Sequence, residues 1–194
     1  KEGTLQALQS HLPRLAKMGV DILWFMPIQP IGLTNRKGDL GSYYSISDYK
    51  GINPNFGTLK DFQAIVNEAH ELGMEVILDW VANHTSFDHH WVQEKPSFYT
   101  QDTQGNSPIV ALDNNGNATD WTDVADLNYN NEELREAMIS EMDWWVTNTG
   151  IDGFRCDVAG FVPYDFWNDA ITTLRSKHGP LFMLAEWEDP ALIQ

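Results

Sequence analysis

Apolar positions recur along the chain with a helical period, and each such stretch ends at a glycine before a short, unbroken apolar run. Leu5, Leu8, Leu12 and Leu15 predict a helix that stops at Gly19, followed by a strand over residues 20–26. Leu59, Phe62, Ile65, Val66 and Ala69 predict a second helix, opened by Thr58 as N-cap and closed by Gly73, ahead of a strand over residues 74–81. Leu134, Met138, Met142, Trp145 and Val146 predict a third, with Asn130 as cap and Gly150 as stop, ahead of residues 151–158. A fourth helix over residues 166–177 breaks at Gly179 and leads to a strand over residues 181–187. The strand runs lack polar alternation, as strands covered on both faces do. Short glycine-containing turns after each helix fit parallel strands with right-handed crossovers. The fold class is therefore α/β, and two architectures fit: a doubly wound sheet, or part of a (β/α)8 barrel. No glycine-rich phosphate fingerprint opens a helix, which disfavours a nucleotide-binding version.

One connection breaks the period. Residues 85–121 are polar, rich in Asn, Asp, Gly and Pro, and lack helical spacing. A connection that long inside a compact domain is usually functional. It follows the C-terminal end of a strand, where active-site loops of such folds collect.

Composition narrows the partners. The 194 residues carry 12 Lys and Arg against 28 Asp and Glu, a formal net charge of −16. That charge repels phosphate backbones and anionic lipid faces, which excludes nucleic acid and membrane as expected partners and leaves a neutral substrate open. The single cysteine, Cys156, allows no internal disulfide. A secreted or periplasmic setting is preferred to the cytoplasm, although the lone thiol fits either. Eight Trp, several beside turn residues, supply core and rim packing or platforms for stacking sugars.

Three predicted strands end in a carboxylate: Asp79 within Asp79-Trp80-Val81-Ala82-Asn83-His84, Asp157 within Gly153-Phe154-Arg155-Cys156-Asp157, and Glu186 after Phe182-Met183-Leu184-Ala185. In one parallel sheet these ends converge. Alternation puts Arg155 and Asp157 on the same face, where the guanidinium is expected to keep Asp157 ionised. Cys156 points the other way, as a packing thiol. An apolar setting for Glu186 would raise its affinity for a proton and suit an acid. Two carboxylates in unlike environments are what acid-plus-nucleophile cleavage of a glycosidic bond requires. The alternatives are a structural ion pair for Arg155–Asp157 and a capping or rim role for Glu186. His84, His89 and His90 lack the spacing of a helix-borne zinc pair. Asp113, Asn115 and Asn117 do not form an EF-hand loop, because Gly116 is misplaced.

These segments, in this order, resemble the α-amylase superfamily, glycoside hydrolase family 13, over nearly the whole chain. Asp79 to His84 is similar to its D-x-x-x-N-H signature, and Gly153 to Asp157 to G-x-R-x-D. Glu186 stands at the acid/base position, and Tyr44-Ser45-Ile46-Ser47-Asp48-Tyr49 resembles the segment whose first Tyr stacks on the cleaved sugar. Asp126-Leu127-Asn128 resembles the motif closing the inserted domain. The resemblance implies strands two to five of a TIM barrel: barrel parts at residues 1–84 and 126–194, and a short inserted domain B at 85–125 after strand three. It implies Asp157 as nucleophile and Glu186 as acid/base, with Tyr44, Asp79, His84 and Arg155 binding substrate. The expected substrate is an α-glucan oligo- or polysaccharide, cleaved with retention. A transglycosylase or isomerase of the trehalose-synthase kind and a non-catalytic barrel homologue remain as alternatives. No cofactor is implied beyond a structural calcium at Asn83 and Asp126. Gly160-Phe161 replaces the Lys-His pair of many calcium-binding members, which speaks against that ion. The remaining strands are expected beyond both ends of these 194 residues, and a third essential carboxylate beyond Gln194.

Overall fold

In the computed structural model, residues 3–105 and 107–188 are described. Four parallel strands, β1 (Ile22–Phe25), β2 (Glu75–Trp80), β5 (Gly153–Cys156) and β6 (Phe182–Ala185), form a sheet in the order β1-β2-β5-β6. Each new strand is thus added on the same side of the previous one. The helices α3 (Leu59–Glu71), α5 (Glu132–Thr149) and α6 (Tyr164–His178) precede β2, β5 and β6 and pack side by side, α3 on α5 and α5 on α6. A doubly wound sheet reverses its strand order and puts helices on both faces. This one does neither, and its architecture is that of a (β/α)8 barrel segment.

Local sequence explains each helix. Thr58 and Asp61 form a reciprocal capping box at the start of α3, with the Thr58 hydroxyl accepting the Asp61 N–H and the Asp61 carboxylate accepting the Thr58 N–H at 2.8 Å. Phe62, Ile65, Val66 and Ala69 of α3 are fully buried. The cap of α5 is Asn131, one residue later than expected. Its side chain accepts the Leu134 N–H, and Glu132 and Glu133 then occupy the first turn, where the helix dipole favours negative charge. Gly150 ends α5 in the left-handed conformation, φ 72°. The single helix expected over Leu5 to Leu15 is two, α1 (Leu5–Gln9) and α2 (Leu12–Lys17). Pro13 is the cause: it lacks an N–H and its ring collides with the carbonyl four residues earlier, so it fits only the first turn of a new helix.

The connection after β2 is less irregular than its composition implied. β3 (His84–Ser86) and β4 (Val124–Asp126) pair antiparallel, His84 opposite Asp126 and Ser86 opposite Val124. Between them lie a one-turn helix α4 (Trp91–Glu94), a 3₁₀ turn (Pro96–Phe98) and isolated bridges such as Leu112 with Ala118. Trp91, Phe98 and Tyr99 are buried beneath them.

Register fixes what faces the chemistry. Asp79 pairs with Arg155 and Arg155 with Leu184. The ladder continues past the strand ends: the Asp157 N–H donates to the Trp80 carbonyl at 2.9 Å and the Glu186 N–H to the Cys156 carbonyl at 2.9 Å. Asp79, Arg155, Asp157 and Glu186 therefore share one face. Leu78, Trp80, Phe154 and Cys156 take the other, buried against the helices. Gly153 permits this register. A Cβ there would lie 1.8 Å from the Phe182 carbonyl oxygen. Gly153→Ala is expected to destabilise the whole protein by about 3 kcal/mol or more, read from its urea midpoint. An unchanged midpoint would show that β6 yields easily.

Candidate active site

The centre of the face is one guanidinium among three carboxylates. Arg155 Nη1 donates to both Asp79 oxygens, at 2.9 and 3.0 Å, and to Asp157 Oδ1 at 3.1 Å, while Nη2 lies 2.6 Å from Glu186 Oε1. Asp79, Arg155 and Asp157 are buried, and the Glu186 side chain is 47% exposed. Two further donors converge on Asp79 Oδ2: Trp24 Nε1 at 3.2 Å and the Tyr44 hydroxyl at 3.3 Å. The Trp24 ring also lies beneath the guanidinium, 5.1 Å from Cζ, a cation–π contact.

Charge balance follows from this count. Burial is the largest influence on Asp157, and the Asp79 and Glu186 carboxylates add to it, pushing its pKa up to about 7 against the pull of Arg155. The expectation that Arg155 alone keeps Asp157 ionised is therefore corrected: one positive charge is divided among three negative ones. A hydrogen bond to Glu186 acts in the same direction. The apolar setting expected for Glu186 is also absent, since its carboxylate is half exposed and paired with Arg155. Burial raises the affinity of Asp79 for a proton, opposed by the Arg155 hydrogen bonds.

A cavity of about 400 Å³ opens over this cluster, bounded by Tyr44, His84, Asp157, Val158 and Glu186 from the sheet side and by Lys37, Trp121 and Asp123 from the loops. Burial lowers the His84 pKa to about 4, so the ring is neutral at pH 7. Its Nδ1 lies 3.2 Å from the Asn83 amide nitrogen, and its edge meets Trp121 with centroids 5.5 Å apart. Burial, then Asp79, pushes the Tyr44 phenol up to about 12. Lys37 fastens the loop after β1 to the inserted segment, 3.5 Å from the buried Asp123 carboxylate and 2.8 Å from the Asp120 carbonyl. A larger hollow of about 500 Å³ between α1 and β1 is apolar and lined by no carboxylate.

All six residues expected to act on a substrate, Tyr44, Asp79, His84, Arg155, Asp157 and Glu186, thus meet at one place. Trp24, Lys37, Trp121, Asp123 and Val158 join them and had not been singled out. Trp24 was legible in principle: it pairs in register with Ile77, and Ile77 shares a face with Asp79. Asn83 and Asp126, the residues expected at a structural calcium, are both buried, and the Asp126 oxygens accept the Thr100 hydroxyl at 2.6 Å and the Leu112 N–H at 2.9 Å. No group of three His, Cys, Asp or Glu side chains among the described residues is arranged to hold a metal. His89 is buried, with Nδ1 accepting the Trp91 N–H at 3.2 Å.

Barrel segment and charge cluster are now placed, and comparison with known proteins gives the family. The profile for "Alpha amylase, catalytic domain" matches residues 1–181, and the chain belongs to that family. An α-amylase from Lactobacillus plantarum superposes with a TM-score of 0.88 at 43% identity, over 98% of this chain and 43% of that one. A noncanonic maltogenic α-amylase from Thermotoga neapolitana gives 0.87 at 42% identity, with the same coverage. An alpha-1,4-glucan:maltose-1-phosphate maltosyltransferase from Arcanobacterium haemolyticum is 37% identical over 99% of this chain and 30% of its own length. The chain thus spans less than half of each of these relatives.

Proposed function

We propose that this chain carries the nucleophile and acid/base of a retaining enzyme acting on α-glucosidic bonds. The observation behind it is the placement of Asp157 and Glu186 on adjacent strands, under one cavity, bridged by Arg155. Asp157 attacks the anomeric carbon as Glu186 protonates the departing oxygen, giving a covalent glycosyl-enzyme. Glu186 then takes a proton from the incoming water or sugar hydroxyl as the Asp157 ester opens. The cycle starts with Asp157 ionised and a proton on Glu186. Arg155 and Asp79 hold the nucleophile's geometry. Neutral His84 donates to sugar hydroxyls, and Tyr44 offers a ring face to the sugar being cleaved.

The substrate class is α-glucan oligo- or polysaccharide, supported by the amylase and maltosyltransferase names among the relatives. Hydrolysis is the leading outcome. Transfer is the second, favoured by the maltosyltransferase relative and by Lys37, Trp121 and Asp123 at the mouth, which can shelter the intermediate from water while an acceptor binds. A fluorosugar donor that slows the second step should label the whole protein on the peptide containing Asp157, visible by mass spectrometry. Normal turnover with no label at Asp157 would overturn the reading. Products from maltose and maltotetraose then separate the outcomes: new linkages without net reducing ends mean transfer.

A further inference from the structure

Val158 directly follows Asp157 and adopts φ 38° and ψ 47°. It and Asn35 are the described non-glycine residues with positive φ. A branched Cβ makes the left-handed region especially unfavourable, so the surroundings must enforce it, and such strain gathers at functional sites. Here the enforcement is visible on both sides. The Asp157 N–H is tied to the Trp80 carbonyl at 2.9 Å, and the Phe161 N–H returns to the Val158 carbonyl at 2.8 Å. Trp167 Nε1 holds the Ala159 carbonyl at 2.9 Å. Gly160 lies so close under the Trp187 ring that a Cβ would meet it at 2.1 Å, which presses the turn onto the end of β6.

The outcome of this turn is that two successive N–H groups point at one residue, as a left-handed residue permits. The Val158 N–H donates to Glu186 Oε2 at 3.0 Å, and the Ala159 N–H donates to the Glu186 carbonyl at 3.1 Å. The two carboxyl oxygens of Glu186 are therefore unlike. Oε2 is taken by a fixed backbone donor, and Oε1 faces the Arg155 guanidinium at 2.6 Å. Both oxygens accept a donor here, Oε1 from a charged side chain and Oε2 from a peptide that cannot turn away.

We propose that Val158 is a positioning residue whose left-handed peptide holds Glu186 by Oε2 and so fixes its carboxyl in the orientation that proton transfer to the glycosidic oxygen requires. The inference rests on the reading of Glu186 as acid/base. In the first step the Glu186 proton passes to the glycosidic oxygen, which keeps the electron pair of the breaking bond to the anomeric carbon, while an Asp157 oxygen forms the new bond to that carbon. In the second step the Glu186 carboxylate takes the proton of the attacking water or hydroxyl, and the bond to Asp157 breaks.

The test replaces only the N–H. In the whole protein, α-hydroxyvaline at position 158 turns the amide into an ester with the same side chain. Turnover is compared on a maltooligosaccharide, whose leaving oxygen needs protonation, and on maltosyl fluoride, which needs little acid assistance. We expect the ester to slow the oligosaccharide about 10-fold and the fluoride less than about 2-fold, since a misplaced general acid matters only where a proton is transferred. Val158→Gly keeps the N–H and takes the left-handed shape without strain, so its ratio between the two donors should match the unmodified protein. Equal slowing of both donors by the ester, or no slowing of either, would overturn the inference. So would a Val158→Gly ratio like that of the ester. An unmodified protein inactive on both donors would overturn the reading of the site itself, and this inference with it.

Discussion

Asp157→Asn in the whole protein should cut turnover on maltooligosaccharides by about 10³-fold or more while making the fold more stable. The amide keeps the shape of the side chain and its acceptor toward Arg155 Nη1, now 3.1 Å from Asp157 Oδ1. It removes the nucleophile, and the missing step is worth about 4 kcal/mol at 10³-fold. The gain in stability has a separate origin. Burial and two neighbouring carboxylates hold Asp157 at a pKa of about 7, above its unfolded value. A carboxyl raised in this way destabilises the fold as pH climbs from the unfolded value through the folded one. The contribution is most favourable below about pH 4 and is lost by about pH 7. Asn removes that dependence, so the melting temperature at pH 7 should rise, by on the order of 1–2 kcal/mol of stability, and converge with the parent at pH 4. Near-normal activity would end the assignment of Asp157. A fall in stability at pH 7 would show that the Arg155 bond outweighs the crowding.

Arg155→Met should have the opposite signature. It leaves three carboxylates facing one another with no cation, two of them buried. Removing one partner from a buried ionic cluster costs about 3–5 kcal/mol. Without the guanidinium, the carboxyls of Asp79 and Asp157, already raised by burial, rise further. The loss is thus greatest where the unfolded chain is fully ionised and the folded one must choose between charge and proton. Urea unfolding at pH 7 should show the full loss, and at pH 5 a smaller one. The same loss at both pH values would mean that the stem of Arg155 packs and its charge is incidental.

The sheet and most of the site could be read from the chain because both follow from short-range periodicity. Apolar runs placed the four strands, glycines placed their starts, and carboxylates at their ends placed Asp79, Asp157 and Glu186. Alternation within one strand set Arg155 beside Asp157 and turned Cys156 away, and the structure buries Cys156 against the helices. What escaped needed distance in space. Lys37 meets Asp123 only because the inserted segment folds back across the mouth. The ionisation of Asp157 depends on how many charges share one guanidinium, which no single strand contains. Val158 gave no signal, since a branched residue predicts strand and its left-handed turn is imposed by Trp187, Trp167 and Trp80 around it. The two-helix start was legible, because Pro13 stands in the middle of the leucine pattern.

The inserted segment stands on a stem of three residue pairs, His84 to Ser86 against Val124 to Asp126. One end of that stem is His84, beside the chemistry, yet the bonds that align Asp79, Arg155, Asp157 and Glu186 all lie below it in the sheet. The stem therefore acts as a graft point. Between Phe87 and Asp123, the residues outside the buried Trp91, Phe98, Tyr99 and Ala111 can be exchanged for another length or shape at little risk to strand register, provided the three pairs are kept. Swapping that cassette between relatives should change which sugars enter and which acceptors stay, while the reacting groups keep their places.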